Sequence, residues 1–155
     1  MCIRDRPVGE APFALALEGT RFGFDFNPAA DRIRVVGGTD NRRMHPDTGM
    51  VVDADAAAAD VQLDGALAYA TGDVNAGKAP VVVAAAYTNP DADAATGTTN
   101  YAIDTAADAL VTQGTKEGVT PAVSPNAGTL FTVGCLLYTS PSPRDRTRSR
   151  MPSSA

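Results

Sequence analysis

The chain has 155 residues, with 13 Lys and Arg against 18 Asp and Glu, a formal net charge of −5, two cysteines and no tryptophan. That length suits one domain or part of one, and an acidic balance repels phosphate backbones, which argues against a nucleic-acid partner. Two cysteines build neither a disulfide framework nor a four-thiolate zinc site, and no apolar run approaches the roughly 20 residues that a membrane-crossing helix needs.

Composition changes abruptly at both ends. Residues 1–6 and 135–155 hold both cysteines, Cys2 and Cys135, and six of the basic residues. The stretches MCIRD and CLLYTSPSPRD can be written in codons that are reverse complements of each other over a shared segment. That segment matches the mosaic end of transposase-made sequencing libraries. Both ends are therefore expected to be adapter-derived and disordered, and they stay out of fold reasoning. The body, 7–134, keeps seven basic and sixteen acidic residues, a net charge of −9, and no cysteine. The basic tail, which alone would suggest a nucleic-acid arm, leaves with the ends.

In chain order, RFGFDF (21–26) alternates, with Phe22, Phe24 and Phe26 on one face, and period two predicts a strand. NPAAD (27–31) carries an Asn-Pro turn signal. RIRVVGG (32–38) alternates again, with Ile33 and Val35 on one face and Arg32 and Arg34 on the other. NRRMHPDTG (41–49) predicts a short strand and turn, and MVVDAD (50–55) the return strand. The segment 54–78 reads as an inserted loop, with one short helix near 54–62. APVVVAAAYTNP (79–90) is a continuous apolar run, as a strand buried on both faces requires. TNYAIDTAADALVTQ (99–113) has helix-forming alanines, but Tyr101 and Ile103 alternate and Asp-Thr marks a turn, so a hairpin is preferred. GTLFTVG (128–134) is the last strand.

The fold class that follows is all-β, built of antiparallel meander units. Asn27-Pro28 is echoed by Asn89-Pro90, and NRRMHPDTGMVV (41–52) by NYAIDTAADALV (100–111). Repeating antiparallel units suggest an incomplete β-propeller-like fragment, and a β-sandwich is the alternative.

Few motifs carry chemistry. GDVNAGKA (72–79) nearly fits a P-loop, but Ala79 stands where a Mg²⁺-binding hydroxyl belongs and Pro80 follows where a helix should start. Asp91 and Asp93, two apart in a turn-rich loop, have the spacing that opens a Ca²⁺ loop, and Asp53 and Asp55 repeat it; the Glu that would complete an EF-hand is missing. His45 is the only histidine, and Ser124 the only serine of the body, so a Ser-His-acid triad has little to draw on. Asp31, Arg32 and Arg34 form the most characteristic polar cluster. Arg32 and Arg34 share a strand face and suit a carboxylate or a sugar acid; a turn aspartate pairing with strand arginines is the plainer account. No catalytic residues are assigned.

The blocks GTRFGFDFNPAADRIRVV (19–36), LDGALAYATGDVNAG (63–77), VVAAAYTN (82–89) and YAIDTAADALVTQ (101–113) resemble the bacterial domain of unknown function 4394. The resemblance covers nearly the whole body; the loop 115–126 is longer than the turn usual there. It implies a β-propeller-related domain, mostly secreted or on the cell surface, and carries no established activity. The expected function is an extracytoplasmic binding or surface-interaction module, with an unknown ligand or surface partner. The alternatives are a polysaccharide-acting hydrolase or lyase using acidic residues, and a calcium-stabilised structural domain.

Overall fold

The structure, a computed structural model, describes residues 8–9, 16–17, 19–89, 91, 93 and 95–137. These form an all-β architecture of two sheets. The first is antiparallel and follows chain order: β1 (Gly23–Asn27), β2 (Arg32–Gly37) and β3 (Asp40–Met44). The second contains β4 (Ala68–Tyr69), β5 (Val82–Tyr87), β6 (Asn100–Asp104), β7 (Ala109–Gln113) and β8 (Thr129–Cys135), in the order β4-β8-β7-β6-β5. Strands β5 to β8 make an antiparallel meander, and β4 runs parallel to β8. Among the described residues no closed barrel or propeller forms.

The strands expected at 21–26, 32–38, 79–90 and 128–134 are present, and 99–113 folds as the β6–β7 hairpin; the apolar run at 79–90 is not buried on both faces, because β5 is an edge strand in which only Val82 is fully buried and Ala86 is exposed. Which face turns inward is the less obvious result. Register places Asp25, Arg34 and Arg43 in one row, and Gly23, Val36 and Asn41 in the next, on the same face. Phe24, Val35 and Arg42, with Phe26, Ile33 and Met44, occupy the other face. The charged face packs on the second sheet, while Phe24 and Phe26 remain 67% and 52% exposed. Gly23 explains the choice. A Cβ there would lie 2.4 Å from the backbone of Ala84 and Ala85, so β1 and β5 meet backbone to backbone with no room for an aromatic ring. Asp25 seals the contact by accepting the Tyr87 N–H at 2.7 Å.

The apolar half of the inter-sheet core is small: Val36, Leu67, Tyr69, Val82, Ala102, Ala109, Val111 and Leu130. Each Val or Leu contributes about 1.5–3 kcal/mol on burial. Tyr69 adds a polar anchor, its hydroxyl donating to Asp104 Oδ2 at 2.5 Å.

Two expectations are corrected. No helix forms near 54–62; the chain there makes turns and bends. The Asp53 carboxylate accepts the N–H groups of Asp55 and Gln62, and Asp55 accepts that of Ala57. Such Asx turns capture the N–H groups that a helix would need. The return strand at 50–55 shrinks to a single bridge between Met44 and Val51.

The internal echo also lies elsewhere. FDFNPAADRIRVVG (24–37) matches YAIDTAADALVTQG (101–114), each residue 77 positions after its counterpart, as 104 is after 27. Both segments are strand–turn–strand hairpins. In each, the first turn residue accepts the N–H two residues on, Ala29 to Asn27 Oδ1 and Ala106 to Asp104 Oδ1. In each the last turn aspartate is left-handed, with φ of 47° at Asp31 and 48° at Asp108. Asn89, by contrast, lies two residues past the end of β5, in the loop that follows, so its likeness to Asn27, the last residue of β1, is not structural. Of the expected adapter-derived ends, 1–6 and 138–155 lie outside the described residues; Cys135 closes β8 and is exposed.

Candidate functional site

The polar half of the inter-sheet space is organised by Arg34, whose side chain is only 2% exposed. It sits on β2 because the strand's alternation puts it beside Val36 on the inward face. Its Nη1 donates to Asp64 Oδ2 at 2.7 Å and to Asn41 Oδ1 at 2.6 Å. Nη2 donates to Asn126 Oδ1 at 2.6 Å, and Nε to the Tyr87 hydroxyl at 3.2 Å. One guanidinium thereby ties β2 to β3, β5, the loop before β4 and the short 3-10 turn Pro125–Ala127 before β8. Arginine suits this because its planar fork offers five donors and no acceptor.

Asp64 is shared. Arg43, opposite Arg34 in the register, grips it through Nε and Nη2, both at 2.8 Å to the nearer oxygen. The Asp64 side chain is fully buried and that of Arg43 is 21% exposed. The hydrogen bond to Asp64 raises the Arg43 pKa above its ordinary value; burial opposes this, and the charge of Asp64 and the nearby Tyr87 reinforce it. A carboxylate buried between two arginines costs desolvation and is stable only because its lone pairs are filled.

The network continues through amides whose orientation Arg34 dictates. Asn41 must turn Oδ1 toward Arg34, so its Nδ2 donates to the carbonyls of Gly65 and Pro125. Gln113 then donates through Nε2 to Asn41 Oδ1, leaving Oε1 to accept from Asn100 Nδ2. The chain ends at Asn100 Oδ1, a fully buried acceptor with no protein donor.

The sequence-derived residues divide. Arg34 is buried at the centre of the network. Arg32 is half-buried and donates to the Asp31 carbonyl at 2.7 Å, and Asp31 is an exposed turn residue. The three are neighbours on one hairpin but do not converge on a single point. Sequence reasoning missed Arg43, Asp64, Asn41, Asn126 and Gln113. The signal available was the pair Arg42-Arg43 in a strand, and Asp64 as a lone acid between apolar residues. Asp91 and Asp93 are exposed in the β5–β6 loop, where their carboxylates accept the N–H groups of Asp93 and Ala95. Among the described residues no three His, Cys, Asp or Glu side chains gather as metal ligands. His45 accepts the Asp47 N–H within its own turn, and Ser124 caps the 3-10 turn by accepting from Asn126. The P-loop-like segment is a set of turns fixed to β8, with Asp73 accepting from the Thr132 N–H and hydroxyl, both at 2.7 Å.

A second feature is a shallow groove of about 360 Å³ along β4 and the start of β8, lined by Ala68, Ala70, Thr71, Gly128 and Phe131 among others. It contains no ionisable group except the Tyr69 phenol. No described helix is long and apolar enough to cross a membrane.

Two packed sheets with a buried ionic network centred on Arg34 and Asp64 define an all-β domain. The chain belongs to the family of the domain of unknown function DUF4394, whose profile matches residues 6–142. No curated protein and no solved structure matches it.

Proposed function

We propose that this protein is a binding or surface-interaction module with no catalytic centre, acting outside the cytoplasm as a β-propeller-like unit that packs against a neighbouring β-sheet layer. The observation that carries the reading is the outer face of the first sheet, where Phe24 and Phe26 stand exposed on β1 beside the half-buried Ile33 and Met44 and the buried Val35. Two large apolar side chains exposed together on one strand face are surface that a partner can cover. The occupant available to the purified protein is the same face of a second copy. The carboxylates support a non-catalytic role: they are scattered over Asx turns or spent on arginines. His45 and Ser124, the two residues a triad would need, serve local turns. The extracytoplasmic placement follows from the family resemblance, and fractionation of the source cells tests it.

The packing test is sedimentation of the full chain beside a Phe24→Ser/Phe26→Ser variant. Concentration-dependent association that the double substitution abolishes, with unchanged thermal unfolding, supports the reading. A wild-type chain that stays monomeric at every concentration, or a variant that associates equally well, overturns it.

A further inference from the structure

β4 is an edge strand of the second sheet, and its hydrogen bonds show which main-chain groups are spent. Ala68 and Ala70 donate their N–H groups to the carbonyls of Gly128 and Leu130, at 3.0 and 2.9 Å. Strand alternation turns the N–H and C=O of Tyr69, the residue between them, toward the opposite edge, away from β8. Two residues earlier that edge is already used by another stretch of backbone, where the Leu67 N–H donates to the Thr39 carbonyl at 2.8 Å. Tyr69 has no such main-chain partner among the described residues. The edge opens onto the groove of about 360 Å³, at the small end of the roughly 300–1,000 Å³ typical of ligand sites. Ala68 and Ala70 border the groove with Thr129 and Phe131, which flank the buried Leu130. The Tyr69 ring points the other way, its hydroxyl on Asp104, so Tyr69 borders the groove through its main chain. Small side chains let a second backbone approach closely. No charged side chain lines the groove, so a charged group entering it would lose water without gaining a counter-charge.

We propose that the β4 edge binds an extended, uncharged peptide of small side chains, added as a further strand beside Tyr69. An unpaired edge presents one donor and one acceptor at peptide spacing, the pattern that strand addition reads. The Tyr69 N–H donates to a peptide carbonyl, the Tyr69 carbonyl accepts a peptide N–H, and alternate peptide side chains lie over the groove beside Ala68 and Phe131. The contact is short, because the turns that begin at Thr71 end the edge. The inference goes beyond the packing of the Phe24–Phe26 face and does not rest on it, since β1 and β4 belong to different sheets.

The test is NMR and calorimetric titration of the full chain with an Ala-Thr-Ala-Thr-Ala pentapeptide, acetylated and amidated so that its ends carry no charge. Saturable binding that slows hydrogen exchange at the Tyr69 amide is the expected result. The same peptide N-methylated at every residue keeps its side chains but offers the Tyr69 carbonyl no donor, and is expected to bind at least about tenfold more weakly, the worth of one hydrogen bond. A version with Asp at its centre is expected to weaken similarly. Ala68→Lys fills the groove from an exposed position and is expected to abolish binding while thermal unfolding stays unchanged. Val74→Lys, at a residue 80% exposed and outside the groove, is expected to bind as the wild type does. No saturable response, or unchanged exchange at Tyr69, overturns the proposal, as does equal binding of the methylated peptide or equal binding by Ala68→Lys. Equal binding of the Asp peptide overturns the uncharged assignment. Self-association that Ala68→Lys abolishes, without peptide binding, overturns the peptide assignment in favour of a second copy at this edge. The Phe24→Ser/Phe26→Ser variant is expected to bind the peptide as the wild type does, so either reading fails alone.

Discussion

Arg34 and Asp64, 30 positions apart in the chain, meet at 2.7 Å with side chains 2% and 0% exposed. Removing one member of such a pair strands the other as a buried charge. Asp64→Ala is expected to cost about 3–5 kcal/mol, because two arginines lose their counter-charge together. Arg43→Met should cost less, since Asp64 keeps Arg34. Urea denaturation of the three proteins checks the order. Equal losses for Asp64→Ala and Arg43→Met would show that the Arg34 contact contributes little.

Tyr69 and Asp104 give a pH prediction. Burial first, then the hydrogen bond to Asp104 and the charges of Asp104 and Asp73, raise the Tyr69 pKa far above the ordinary tyrosine value. The protonated phenol is the form the fold favours. Its contribution is fully present below the unfolded value near pH ~10 and is lost as pH climbs from there toward the folded value. Stability is expected to fall steeply above about pH 10, and Tyr69→Phe should flatten that alkaline limb. At neutral pH the same substitution leaves Asp104 Oδ2 without its donor and costs about 1–3 kcal/mol. Denaturation midpoints measured across alkaline pH decide it; identical slopes for both proteins would remove Tyr69 as the cause.

At the acid end the corresponding group is Asp73. Burial pushes its pKa up, but the N–H groups of Thr132 and Asn75 and the Thr132 hydroxyl outweigh burial and hold it below the ordinary value. A depressed carboxylate contributes stability above its unfolded pKa and loses it as pH falls through the folded one. Stability should decline below about pH 4, and Asp73→Asn should decline less. A variant that tracks the wild type through the acid limb would locate the effect in another carboxylate.

The strands were legible in the sequence because alternation is local. RFGFDF and RIRVV announce themselves, and the hairpin at 99–113 follows from Tyr101, Ile103 and the Asp-Thr turn. Which face is buried was not legible, because it depends on a long-range contact. Gly23 lets β5 approach β1, and only then does the charged face become the inner one. The network was half legible for the same reason. Arg34 stood out, but its partners Asp64, Tyr87 and Asn126 come from loops and strands far along the chain. The helix expected near 54–62 failed because alanine content says nothing of the aspartates that capture the N–H groups between them.

Gly23 therefore carries a sharp steric prediction. Alanine there would place a methyl carbon 2.4 Å from the β5 backbone, which has no flexible side chain to move aside. Gly23→Ala is expected to separate the sheets and cost about 1–3 kcal/mol or more. Gly134→Ala, where nothing lies within 4 Å of the added carbon, serves as the control and should be near neutral. Melting temperatures of the two variants provide the comparison; a harmless Gly23→Ala would mean that β1 and β5 are not in backbone contact in solution.

The paired hairpins yield a matched experiment. Asp31 and Asp108 both hold left-handed backbone, at φ 47° and 48°, in turns built on the same NPAAD or DTAAD frame. Aspartate tolerates that conformation better than a β-branched residue, and glycine better still. Asp31→Gly and Asp108→Gly should each leave stability unchanged or slightly higher, while Asp31→Val and Asp108→Val should each lose about 1–2 kcal/mol. The informative quantity is the difference between sites. If the two turns are one structural unit used twice, the losses agree within a few tenths of a kcal/mol, the usual scatter for independent sites. A large loss at one turn and none at the other would reduce the 77-residue correspondence to a likeness of letters.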